Sequence, residues 1–218
     1  MMVARSPIAP APPVQVEGGW EVSGCRSDAP LSIADHTPLA KVHLRAPWNG
    51  AMAKALSVPF GRAGREIPGQ DGQEGAWLVV GSGPGEWYVL APPGAAAAVA
   101  DALGQMAADS AGEEFVSVVD LTHGRALMRV TGRDAAELLA RLCGADLHDD
   151  MAPDGAALRS AVAGVATDII RDDRAAEAGV ASYLLHCERS SGQYLFDALV
   201  SAGESLGIGV DGFRLPGI

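Results

Sequence analysis

The sequence has 218 residues, 48% of them apolar, enough to bury a core and too many for a chain that stays unfolded. Its formal net charge is −11, with 16 basic residues dispersed among 27 acidic ones. That balance argues against a nucleic-acid partner, because such binders draw much of their free energy from basic stripes laid on phosphate.

No apolar run reaches the ~20 residues that a membrane-crossing helix needs, so no membrane partner is expected. The opening stretch, Met-Met-Val-Ala-Arg-Ser-Pro-Ile-Ala-Pro-Ala-Pro-Pro, breaks any continuous signal-like apolar segment with proline. A cytoplasmic protein is the expectation. Cys25, Cys143 and Cys187 are scattered and form no Cys-x-x-Cys pair, which indicates neither a zinc site nor a disulfide framework.

Residues 1–35 are rich in Pro, Gly, Ser and Ala, with apolar residues only in short pieces. Because pieces such as Trp20 and Val22 are so short, the segment reads as an amino-terminal arm, either flexible or ordered by a partner, with Trp20 as its natural anchor. From His36 the pattern becomes regular. Residues 41–46 alternate apolar and polar, the period of a half-buried strand. Pro47-Trp48-Asn49-Gly50 is a turn, and Met52, Ala55 and Leu56 recur at helical spacing until Pro59. A glycine-rich loop over 61–75 precedes two apolar strands, 76–80 and 87–91, joined through Gly81-Ser-Gly-Pro-Gly-Glu86. A helix follows over 95–106, with Val99, Leu103 and Met106 on one face.

The second half repeats this order. Strands are expected at 115–121 and 125–130, then a helix capped by Asp134 with Ala135, Leu138, Leu139 and Leu142 inward. Residues 158–170 give strands turning at Gly164, and 181–187 another. Ser190 or Ser191 then caps a helix that turns Tyr194, Leu195, Leu199 and Ala202 inward. Laying residues 41–61 over 125–144 aligns strand, turn and helix at an offset of about 84 residues. The expected fold class is α+β, two related strand-helix-strand-strand-helix halves with mixed or antiparallel sheets, 36–112 and 113–218. Strands paired between helices argue against a doubly wound parallel sheet.

Chemistry-bearing motifs are scarce. Gly81-Ser-Gly-Pro-Gly-Glu86 places Glu86 where the third glycine of a dinucleotide loop belongs, and a strand follows it; a turn is the better reading. Asp120-Leu-Thr-His123-Gly-Arg125 is the densest polar cluster. It can orient a ligand carboxylate or support acid–base work, but no second cluster offers a nucleophile, and a polar turn is favoured. His36, His43, His123, His148 and His186 show no metal-ligand spacing. His148-Asp149-Asp150 and Asp172-Asp173 read as solvated surface. No catalytic or metal residues are assigned, and the chain itself is expected to be non-catalytic.

Ala34-Asp-His-Thr-Pro-Leu39, Gly83-Pro-Gly-Glu-Trp-Tyr-Val-Leu90, the run from Val119 to Leu139, Cys143-Gly-Ala-Asp-Leu147 and Arg189-Ser-Ser191 stand in an order that resembles the gamma subunit of heterotetrameric sarcosine oxidase over about residues 34–205. The resemblance implies a fold similar to the folate-binding domains of aminomethyltransferases. It further implies a supporting subunit of an oxidoreductase complex that oxidatively demethylates sarcosine to glycine. FAD, covalent FMN and NAD belong to the alpha and beta subunits of that family and zinc to the delta subunit, with tetrahydrofolate as a one-carbon acceptor. This chain would then bind no cofactor and would offer Trp20, Trp48 and Trp87 as interface anchors. The alternative is a stand-alone folate-binding aminomethyltransferase-like protein in one-carbon metabolism, with Asp120 or Glu86 nominated to hold the pterin.

Overall fold

A computed structural model describes residues 3–65, 77–110, 112–173 and 180–218. Much of the loop expected at 61–75, and the start of the strand expected at 76, lie outside them. The elements in chain order are β1 (Ala4–Arg5), β2 (Val14–Glu17), β3 (Trp20–Ser23), β4 (Leu31–Asp35), β5 (Ala40–Arg45), α1 (Ala51–Leu56) and β6 (Ala63–Gly64). There follow β7 (Leu78–Gly83), β8 (Glu86–Ala91), α2 (Ala96–Ser110), β9 (Ser117–Asp120), β10 (Arg125–Gly132) and α3 (Ala135–Ala140). The chain closes with β11 (Ala157–Val162), β12 (Val165–Arg171), β13 (Ser182–Glu188), α4 (Gly192–Gly203) and β14 (Ile208–Asp211).

Strand alternation decides the layering. In β5 and β8, Val42, Leu44, Trp87 and Val89 point one way and pack with Met52, Leu56, Val99 and Leu103 of α1 and α2. In β10 and β13, Met128, Val130, Tyr183 and Leu185 pack with Leu138, Leu139, Leu195 and Leu199 of α3 and α4. The opposite faces of both sheets meet in a third core, where Leu78, Tyr88 and Leu90 pack with Leu127, Ile170 and Leu184. The fold is therefore α+β in four layers, helices outside and two sheets within. The five-stranded sheet runs β6-β7-β8-β5-β9, and the six-stranded sheet runs β11-β12-β13-β10-β4-β14.

Local expectations meet the structure unevenly. The glycine loop is a tight hairpin: β7 reaches Gly83, and Pro84-Gly85 turn the chain into β8. Gly85 has φ +73°, and a Cβ there would lie 2.5 Å from the Ala46 carbonyl oxygen, so a side chain is barred twice over. Asp134 and Ser191 hold the N-cap positions of α3 and α4, but neither side chain makes a capping bond. On α4 the inward aromatic is Phe196, whereas Tyr194 is exposed and donates its hydroxyl to the Ala163 carbonyl at 3.1 Å. Nearest-neighbour pattern places Tyr194 beside the leucines; the helix's rotation against β10 selects Phe196.

The largest departure concerns residues 1–35. Instead of a flexible or partner-ordered arm, they build β1–β3 as a three-stranded sheet in the order β1-β3-β2 and contribute β4 to the six-stranded one. Ile8, Trp20, Val22, Leu31 and Ile33 are all buried. Trp20 packs into the inter-sheet core and stacks on the His123 ring at 4.8 Å. The Arg189 guanidinium donates to the Arg5 carbonyl at 2.7 Å, and Gln193 accepts from the Ala9 amide at 2.7 Å. The alternating pairs Trp20/Val22 and Leu31/Ile33 are too short to stand as strands on local pattern alone, and distant parts of the same chain supply their burial.

The two expected halves also exchange strands. β4 precedes β5 in sequence but pairs antiparallel with β10, Met128 opposite Asp35; β9 precedes β10 but pairs antiparallel with β5, Val42 opposite Asp120. Both exchanged strands end in Asp-x-Thr. Asp35 accepts from the Thr37 amide at 2.9 Å and Asp120 from the Thr122 amide at 2.8 Å. Each threonine hydroxyl oxygen then accepts a main-chain amide from the other half: Leu127 at 3.2 Å for Thr37, Lys41 at 3.1 Å for Thr122. A division of the chain at 112/113 therefore cuts between strands that belong to each other's sheets.

The burial of Trp20 gives a direct test of the ordered amino-terminal segment. Trp20→Ala should cost about 3–5 kcal/mol in urea unfolding, the range for emptying a buried aromatic site. An unchanged midpoint would mean that this segment does not pack on the sheets.

Candidate functional site

Asp120 and Glu86 do not converge. Antiparallel partners share a sheet face, so Asp120 lies on the face of Val42, which packs with the helices. Glu86, opposite Arg45, lies on the other face with His43 and Tyr88. Glu86 is ion-paired with Arg45 and lies 3.9 Å from Arg159. Asp120 is committed to the Thr122 turn, and Gly124 donates to the Leu121 carbonyl at 2.9 Å, so Asp120-Leu-Thr-His-Gly is a polar turn. Of the three tryptophans, Trp20 and Trp87 are buried within the chain, and the Trp87 indole donates to the Val58 carbonyl at 2.8 Å. Trp48 is 48% exposed, its ring edge-on to the exposed Phe60.

The dense polar chemistry lies elsewhere, on the facing inner surfaces of the sheets. Lys41, on β5, is wholly buried, and its ammonium donates at 2.7 Å to the carbonyls of both Thr37 and Leu39. Burial pushes its pKa down to about 7, although Asp35 and Asp120 pull the other way. On β12 and β13, Asp168 sits between the Arg159 guanidinium at 2.7 Å and the His186 ring at 3.2 Å. Burial opposes the Asp168 charge, but hydrogen bonds from His186 and Arg159 outweigh it and hold the carboxyl below its usual range. Desolvation lowers His186, so its imidazole is neutral: Nδ1–H faces Asp168, and Nε2 has no partner. Tyr88 lies between His43 and His186, with ring centroids at 4.7 and 4.5 Å, and accepts from Arg125 at 3.1 Å.

Asp172, expected on solvated surface, is instead buried between two arginines. Arg129 donates to it at 2.9 Å and to the Ser182 hydroxyl at 2.8 Å, and Arg65 donates to both its oxygens at 2.7 and 2.8 Å. An isolated Asp-Asp pair in sequence reads as surface because its counter-charges come from β10 and from residue 65. His148, Asp149 and Asp150 are exposed as expected. Among the described residues, no three His, Cys, Asp or Glu side chains come together as a metal site. The usable signal for this layer was charge at alternate positions of apolar strands: Lys41 and His43, Arg125 and Arg129, Asp168 and His186. Alternation of this kind describes a strand with one polar face but does not say that a second sheet covers that face.

A histidine held by a carboxylate in one tautomer is suited to accept a proton, yet both groups here are roofed by Tyr88 and closed from solvent. What the layer does is tie strands of the six-stranded sheet to one another and, through Arg65–Asp172 and Arg125–Tyr88, one sheet to the other. Asp172→Ala should cost about 3–5 kcal/mol, since it leaves the buried Arg129 uncompensated. Lys41 predicts a pH dependence of definite sign. Its folded pKa of about 7 lies below the unfolded 10.5, so between these values the unfolded chain holds more protons and stability rises with pH. Urea midpoints of wild type minus Lys41→Met should therefore climb from pH 7 to 10; a flat difference would mean that Lys41 is not desolvated.

Comparison with known proteins places this geometry. None of the curated proteins matches the sequence. Among solved structures, a chain of heterotetrameric sarcosine oxidase from Corynebacterium sp. U-96, in complex with pyrrole 2-carboxylate, is similar over 87% of both chains, with 21% identity and a TM-score of 0.63. Glycine cleavage system aminomethyltransferase T from Bartonella henselae is similar over 91% of this chain but 55% of its own, with 14% identity and a TM-score of 0.64. At such identities the likeness establishes the fold, the aminomethyltransferase-like arrangement of two α+β halves. No helix among the described residues is long and apolar enough to cross a membrane. The family model described as the GCVT N-terminal domain matches residues 73–214, about two thirds of the sequence, and the chain belongs to that family.

Proposed function

We propose that this chain is a non-catalytic, gamma-type subunit of a cytoplasmic sarcosine-oxidising complex. It would pack against the alpha subunit, in an assembly that also holds a beta subunit and a zinc-carrying delta subunit. FAD, covalent FMN and NAD reside in those partners in this reading, and tetrahydrofolate enters as one-carbon acceptor elsewhere in the complex. The supporting observation is co-extension: the chain and the sarcosine oxidase chain cover each other equally, whereas the aminomethyltransferase has almost half its length outside the match. The interior is consistent with a supporting role, since its charged groups are consumed in joining strands, and one sheet to the other. Trp48, with Phe60 beside it, is the aromatic we assign to the partner surface.

The alternative is a free-standing folate binder with Asp120 or Glu86 holding the pterin; the commitment of Asp120 to the Thr122 turn and of Glu86 to Arg45 disfavours either in that role.

Affinity purification from the native host, followed by mass spectrometry, should recover flavin-containing partners in equimolar amounts. Trp48→Ala should weaken that recovery without changing the urea midpoint. A lone monomer under gentle conditions would overturn the assembly reading. Micromolar tetrahydrofolate binding by the isolated chain would favour the alternative.

A further inference from the structure

The six-stranded sheet continues past β10 to β4 and β14, and the inner face of this end is covered by the carboxy-terminal segment, residues 212–218. Between the two lies an open cavity of about 620 Å³, within the size range of small-molecule sites. The segment is tied over it at three points. Phe213 is buried in the inter-sheet core, the Leu215 amide donates to Glu17 at 2.9 Å, and the Gly217 carbonyl meets the His36 ring at 3.0 Å.

The last bond fixes the chemistry of the wall. A carbonyl only accepts, so His36 presents Nδ1–H to Gly217 and keeps the lone pair on Nε2. Burial holds the ring's pKa down to about 3, so Nε2 is an acceptor at any physiological pH. On the same face, Arg129 and Thr131 of β10 line the cavity. The Arg129 Nη groups are taken by Asp172 and Ser182, while its buried Nε has no partner. At the rim, Arg214 is 59% exposed and only loosely paired with Asp211 at 3.6 Å, leaving its guanidinium available to a ligand. Of the three arginines on the wall, Arg65 and Arg129 share the Asp172 carboxylate, so Arg214 is the one that faces a ligand.

We propose that this cavity binds a small carboxylate that also carries an O–H or N–H donor. The carboxylate meets Arg214 at the mouth, and the donor meets Nε2 of His36. A ligand with only one of these groups leaves either the guanidinium or the imidazole lone pair unsatisfied, and discrimination follows from that. The inference is independent of the assembly reading, since it concerns the isolated chain.

The test is an amide NMR titration of the full chain with lactate, propionate and lactamide, each to about 50 mM, the range for weak ligands of this size. Lactate should give saturable shifts at Ser32, Thr131 and Gly212, with propionate and lactamide each at least about fivefold weaker. Arg214→Ala, at an exposed site where folding is insensitive, should weaken lactate and propionate alike and leave lactamide unchanged. His36→Ala should abolish the advantage of lactate over propionate. Absence of saturable shifts at these amides, equal binding of the three probes, or an unaltered lactate affinity in Arg214→Ala would each overturn the proposal.

Discussion

The fold turns on one buried lysine. Lys41 lies where the two halves cross: its amide donates to Thr122 of one exchanged strand's turn, and its ammonium to the Thr37 carbonyl beside the other. The two aspartates of the repeated Asp-x-Thr turns, Asp35 and Asp120, are the charges that pull its pKa upward against burial. A desolvated ammonium is costly unless its donors are met, and two main-chain carbonyls at 2.7 Å meet it. Each half thus closes its sheet with a strand from the other, and the crossing is fixed by hydrogen bonds that neither half makes alone. Neither sheet has its full set of strands without the other half, so the pair should unfold as one unit.

Much of this was legible in the sequence, and the illegible part has a physical cause. Hairpins and amphipathic helices are local, so β7–β8, β11–β12 and the leucine stripe of α3 emerge from turn chemistry and periodicity. The offset of about 84 residues that superposes β5 on β10 is visible as well. The exchange of β4 and β9 is not local: Asp35 pairs with Met128, far along the chain, and β propensity carries no address. One signal did point to it. Asp35-His-Thr37 and Asp120-Leu-Thr122 repeat at the same spacing, each just ahead of its half's central strand, and a repeated turn at the same phase implies a repeated job.

The inner faces explain why site residues were harder to find than elements. Two sheets that meet face to face usually bury interdigitated aliphatics. Here leucines alternate with Arg129, Asp168, Asp172, Tyr88 and His186, all buried, with most of their polar atoms satisfied across strands or across sheets. In sequence each of these residues sits on the polar phase of an amphipathic strand, where exposure to water is the default reading. The second sheet converts that phase into an interior. Charged residues that would be free on a surface become structural ties, and a long list of acids, bases and imidazoles yields little chemistry open to a ligand.

Chemistry becomes available at the margin of this layer. Beyond β10, Ser32, Ala34 and His36 share a cavity wall with residues 212–218. The same kinds of residue then change role. Arg129 is sealed on the side where Asp172 and Ser182 take its Nη groups and borders open space on the other. His36, equally desolvated, has one nitrogen committed to the covering segment and the other left as an acceptor. An inter-sheet polar layer built for cohesion thus furnishes binding groups at its margin, where residues 212–218 lie over β4.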